Sequence, residues 1–170
     1  MPEQFPWLTT LIVVPLLGAA VVWALPGAAR RLARPVAVGV SLLVLVLGVL
    51  AALSFDTADA GTHQLLETHA WIPAIGASYA VGVDGVGLAL VLLSVVLTPL
   101  VLLAAWREQP DVIPAAEGED DGLPTLEEGG SRIRHYVALV LVLEAFMVAV
   151  FAARDVFFFY VLFEAMLIPV

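Results

Sequence analysis

Three stretches of this chain, 7–25, 35–53 and 86–106, run for nineteen to twenty-one residues without a single charged side chain. A fourth, 136–153, carries one, Glu144. Crossing a hydrocarbon core of about 30 Å takes about twenty such residues in a helix, because a helix satisfies every backbone polar group within itself. With 62% hydrophobic and only 14% charged residues over 170 positions, the chain lacks the polar surface of a soluble domain. A fifth apolar run, 156–170, begins after the two-residue connection Arg154-Asp155 and stops at Val170 as a helix without its end. The pattern predicts an all-α membrane protein. Its single transmembrane domain, 1–170, would hold five transmembrane helices at about 7–25, 35–53, 86–106, 136–153 and 156–170, the last truncated. A cleaved signal peptide is disfavoured for the first run, since Glu3 and Gln4 stand where a basic n-region would be.

The connections are as informative as the spans. In the 54–85 loop, Gln64 to Ile72 and Ser78 to Val83 flank the turn residues Pro73 to Gly76, which reads as a short hairpin on the membrane surface. Asp84 is placed to cap the helix that follows, and Pro99 inside that helix removes one ladder donor. The 107–135 loop contains eight of the sixteen acidic residues and reads as a solvated linker. Arginines orient the chain. Arg30, Arg31 and Arg34 follow the first helix, Arg107, Arg132 and Arg134 lie in the acidic loop, and only Arg154 is on the other side. Both Arg-rich loops are therefore expected in the cytoplasm, with the N-terminus and the 54–85 loop on the periplasmic side.

Several chemistries are disfavoured. The chain has no cysteine, which removes thiolate-held clusters and disulfides. No phosphate-cradling loop or dinucleotide fingerprint occurs, so no cofactor is expected in this chain. His63, Glu67 and His69 lack a further ligand and read as ordinary loop residues rather than a metal site. The net charge of −9 argues against nucleic acid as a partner.

The functional candidates are the two carboxylates inside apolar runs. A charge at the centre of a bilayer costs at least about 2.5 kcal/mol, so such a group must be neutralised, paired or hydrated. Glu144 and Glu164 each lie eight residues into their helix, or about 12 Å at 1.5 Å per residue, and so reach similar depth from opposite faces. If they are close, one proton would be held between them, which is the chemistry of a relay. Tyr160 stands one turn before Glu164 on the same face and could support a water chain. The plainer alternative is that both Glu residues fasten helices through hydrogen bonds.

Three segments carry a family resemblance: Phe163-Glu164-Ala-Met-Leu-Ile-Pro169 behind its aromatic run, Trp71-Ile-Pro-Ala-Ile-Gly-Ala-Ser-Tyr79, and Val81-Gly-Val-Asp84-Gly-Val-Gly-Leu88. With Glu144 in the preceding helix, they resemble the chain M family of proton-pumping NADH-quinone oxidoreductases, respiratory complex I. The resemblance spans the whole chain as the N-terminal part of a longer member. It implies an antiporter-like inverted-repeat fold in a bacterial inner membrane, with the other membrane subunits of complex I, protons and membrane lipid as partners. It further implies a proton-translocating subunit in which Glu164 pairs with a Lys on a later helix; with no cysteine and no dinucleotide fingerprint, no redox catalysis is expected in this chain itself and NADH is expected to bind elsewhere in the assembly. The acidic 117–128 segment is not part of the family pattern. Two alternatives stay open at this point: a subunit of a multi-chain cation/proton antiporter or membrane-bound hydrogenase, and a non-transporting membrane scaffold.

Overall fold

The structure, a computed structural model, describes residues 5–26, 32–72, 74, 76–108 and 126–167. Within them the chain is mostly helical, with α1 at Trp7–Ala24, α2 at Ala33–Leu53, α3 at Gly85–Glu108, α4 at Leu126–Ala152 and α5 at Val156–Met166. Between α2 and α3 a 3-10 turn, Thr57–Asp59, leads into an antiparallel hairpin of β1, Gln64–Ile72, and β2, Ala77–Val83. α1 to α4 are each long and apolar enough to cross a membrane, whereas α5 is apolar over eleven residues. Large apolar side chains such as Leu17, Leu53 and Val86 are more than half exposed on the outside of the bundle. In water that surface would aggregate; against lipid it has its natural solvent.

The acidic 107–135 segment needs correction. α3 continues to Glu108 and α4 begins at Leu126, ten residues before the apolar run. Once a helix is nucleated, each further residue adds a backbone hydrogen bond, so polar residues beyond the bilayer edge do not end it. Residues 109–125 lie outside the described residues. At the other end of the chain the described part of α5 stops at Met166 with Leu167 as its C-cap, short of the expected 170. Residues 168–170 lie outside the described residues.

α4 is the central helix, packed on α1, α2, α3 and α5 and touching β2. Small residues let the helices approach. On α2 the buried stripe is Ala33, Ala37, Ser41, Val44, Gly48 and Ala51, three or four residues apart. A Cβ on Gly18 of α1 would stand 2.5 Å from Val40 Cγ1 of α2, and one on Gly48 would stand 3.0 Å from Val95 Cγ2 of α3. The interior divides into two apolar clusters. One, nearer the hairpin, includes Leu8, Leu11, Val44, Val81, Val91, Val95, Val148 and Phe158. The other includes Ala19, Val22, Ala37, Leu102, Val137 and Leu141. α4 crosses from one to the other between Leu141 and Val148.

α1 shows how the ends of the bundle are held. It has Pro6 at its N-cap position and no capping side chain of its own. Glu67 of β1 supplies the cap from another element: Leu8 N donates to Glu67 Oε1 at 2.8 Å and Thr9 N to Oε2 at 3.2 Å. The Thr9 hydroxyl donates to the same carboxylate, so its oxygen takes the proton of Tyr79 OH at 2.6 Å. A bulge between Gln64 and Glu67, with Leu65 at φ +53°, aims Glu67 this way. At the other end Arg134 Nη1 of α4 donates to the carbonyl of Leu25 at 2.9 Å. A negative group at the helix start and a positive one at its end both suit the helix dipole.

Candidate functional site

Glu144 falls on α4 where the two apolar clusters meet. It is fully buried, and among the described residues neither carboxylate oxygen has a hydrogen-bond partner. The Thr98 hydroxyl of α3 lies beside it. Its proton is already used: Thr98 Oγ1 donates to the Ser94 carbonyl at 3.1 Å, as Ser94 Oγ does to the Leu90 carbonyl at 3.0 Å. These back-bonds sit directly before Pro99, which leaves the Val95 carbonyl without its usual helical donor. On the outer side of Thr98, an open groove of about 390 Å³ runs between α3 and α4, lined by Leu97, Val101, Tyr136, Leu143 and Met147 among others. A buried carboxylate with both oxygens free is rare, because an unsatisfied buried polar group is among the more expensive features a fold can keep.

Glu164 is placed differently. It is exposed on α5, as is Tyr160 at 60%, with Phe159 and Phe163 stacked at 6.0 Å beside them. No hydrogen bond joins Glu164 to Glu144, so the two are not a directly paired dyad. The reason lies in how α5 docks. Its buried residue is Phe158, and Glu164, six positions on, projects about 120° away around the helix. The spacing of four does keep Tyr160 and Glu164 on one face. His63, Glu67 and His69 do not gather: Glu67 caps α1, His69 stacks on Tyr79 at 6.2 Å and His63 is exposed. Asp84 caps α3 through Gly87 N at 2.7 Å.

The hairpin touches α5 as closely as it touches α1. Asp155, read from sequence only as part of a tight turn, accepts Phe158 N on Oδ1 at 3.0 Å and both Ser78 N and Ser78 Oγ on Oδ2 at 3.1 Å. The amide bonds from Phe158 and Ser78 hold its carboxyl below the usual aspartate value. Tyr79 bridges the two sides. Its ring meets Phe158 edge-on at 5.1 Å while its hydroxyl reaches Thr9. Burial pushes that hydroxyl above its ordinary pKa, and the nearby Glu67 charge adds to the shift.

No protein-family profile matches the chain. Individual relatives do. NADH-quinone oxidoreductase subunit M of Mycobacterium tuberculosis is 42% identical over 176 residues, covering 98% of this chain and 32% of the relative. NAD(P)H-quinone oxidoreductase chain 4-3 of Nostoc is 35% identical over 170 residues, covering 100% of this chain and 27% of the relative. Among solved structures, a chain of respiratory complex I from Thermus thermophilus, determined with bound NADH, superposes with a TM-score of 0.67 over 95% of this chain and 27% of its own length, at 23% identity. That likeness is one of fold; the sequence matches carry the kinship. The chain spans about a third of the length of the relatives it matches, and it belongs to the subunit M and chain 4 family of NADH-quinone oxidoreductases.

Proposed function

We propose that the chain is part of a proton-translocating membrane subunit of NADH-quinone oxidoreductase, in which Glu144 and Glu164 carry protons through the bilayer. The observation that supports this most is Glu144. Among the described residues it has no hydrogen bond to lose, so it can take up a proton without breaking a contact there and release it when water or a cation reaches it. A carboxylate kept only to fasten helices would be expected to hold a partner, and this one has none among the described residues. Glu164, facing outward from α5, is open to a partner from elsewhere in the assembly, and a later Lys of the same subunit suits it by charge.

The finer reading follows the arginine balance: a multi-pass protein of the bacterial inner membrane with its N-terminus and hairpin in the periplasm and Arg132 and Arg134 at the cytoplasmic end. NADH oxidation and quinone reduction belong to other subunits, with which this one assembles, and the fold is one repeat-bearing part of an antiporter-like subunit. The test is made in the full-length subunit within its complex, using inverted membrane vesicles. Glu164→Gln and Glu144→Gln should each leave assembly and NADH oxidation in place while collapsing NADH-driven acidification, read by quenching of a fluorescent amine. Normal acidification in both variants would leave the scaffold reading standing. Copurification with a sodium/proton exchanger and no NADH dehydrogenase subunits would move the chain to a different machine.

A further inference from the structure

A helix N-cap needs one carboxylate oxygen; Asp155 uses both. Oδ1 caps α5 through Phe158 N, while Oδ2 accepts two bonds from Ser78 of the hairpin. The neighbouring backbone reinforces the joint, because Arg154 N donates to the Ala80 carbonyl at 2.9 Å and Ala153 forms a bridge with Val81. Side chains close it from the other direction. Trp71 packs on Phe157 and Phe158 at 6.0 and 6.1 Å, and Tyr79 on Phe158 at 5.1 Å. The hairpin in turn is fixed to α1 through Glu67, Thr9 and Tyr79.

The described hydrogen bonds and ring contacts to the hairpin fall in the first turn of α5, and further along Phe159, Tyr160 and Phe163 are exposed. Among the described residues α5 packs on α4 and β2. Glu164 stands nine residues from Asp155, about 13 Å along the axis. A tilt of about 10° at the first turn would therefore move it about 2 Å, and a displacement of about 1 Å can cost about 100-fold in a transfer that depends on geometry.

We infer that Asp155, clamped to Ser78, is a positioning residue: it ties the helix bearing Glu164 to the hairpin and so fixes where that carboxylate stands. The inference rests on the reading of Glu164 as a proton carrier. No cysteine occurs in this stretch, so the joint can be broken and remade covalently. In the full-length subunit within its complex, Asp155→Ala should keep NADH oxidation and lower proton pumping about tenfold. Asp155→Asn, whose single carbonyl oxygen can still cap α5 but whose NH2 then faces the Ser78 amide, separates the cap from the clamp and should recover little of it. Ser78→Ala, which loses the hydroxyl bond and keeps the amide, should fall between.

The decisive arm is the pair S78C with D155C. Reduced, it should pump like Asp155→Ala; oxidised to the disulfide, it should recover toward wild type. A merely stabilising contact would not make pumping per NADH oxidised follow the redox state of one engineered bond. Normal pumping in Asp155→Ala beside defective Glu164→Gln overturns the clamp and leaves the proposed function intact. Normal pumping in Glu164→Gln overturns both. If Asp155→Ala fails to assemble, the cysteine pair decides, and equal pumping in its two redox states overturns the inference.

Discussion

Glu67 is half-buried and Glu144 fully buried, and their surroundings differ more than their burial does. Glu67, at the hairpin end, is met by two backbone amides of α1 and the Thr9 hydroxyl. Glu144, where the two apolar clusters join, is met by no donor among the described residues. Burial alone does not say what a carboxylate is for. The number of partners does. Glu67 satisfies donors that α1 cannot satisfy itself, and its loss would be felt by the fold. Glu144 satisfies nothing, and the fold keeps it at a cost.

The comparison breaks first at Glu144. Glu144→Gln in the full-length subunit should lower NADH-driven pumping at least about tenfold, the scale of losing one positioned proton-transfer group. Thermal unfolding in detergent should change by less than about 1 kcal/mol, since no hydrogen bond is removed. A large stability loss with normal pumping would make Glu144 a structural residue like Glu67.

Glu67→Ala should show the reverse. Removing an N-cap and a charged acceptor together should destabilise by about 2–3 kcal/mol, with Glu67→Gln costing about half as much. Denaturant unfolding measures this directly, and a neutral result would mean that the hairpin does not secure α1. Arg134 sharpens the contrast by testing the far end of the same helix. Arg134→Ala should destabilise by about 1 kcal/mol through loss of its bond to the Leu25 carbonyl, and Arg134→Lys by less.

The smallest effect is expected at Tyr79. Tyr79→Phe loses only the hydroxyl bond to Thr9, about 0.5–1 kcal/mol. It should also change the alkaline limb of a stability titration. Because the hydroxyl's pKa is raised in the fold, the contribution of the protonated form is complete below the ordinary value near 10 and is lost as pH rises through the folded value. Wild type should therefore weaken above about pH 10 more steeply than Tyr79→Phe. Parallel titrations would show that Tyr79 remains neutral or is not coupled to folding.

The same residues show what a reader of the sequence could and could not see. The uncharged runs are legible because a bilayer imposes one length and one polarity on whatever crosses it. The hairpin was legible from its turn residues, and Asp84 as a cap from its place before an apolar run. Glu67 looked like a loop residue and Asp155 like part of a tight turn, since the Leu8, Thr9 and Ser78 donors lie 58 or more residues away in the chain; only the Asp155 cap on Phe158 is local. The start of α4 at Leu126 was hidden because polar residues outside a membrane are compatible with helix and loop alike.

Sequence alone thus determined that the chain is a membrane protein, where its long apolar helices fall and that two carboxylates lie within apolar runs. It also pointed to the family that the relatives bear out. Tertiary structure decided which carboxylates have partners. Burial and hydrogen bonding depend on the rotation of each helix about its axis, and on a bulge at Leu65 that turns Glu67 toward α1. α4 turns Glu144 inward, and α5, docked through Phe158, turns Glu164 outward. Helical periodicity groups residues on a face, but only packing against a neighbour says which way that face looks.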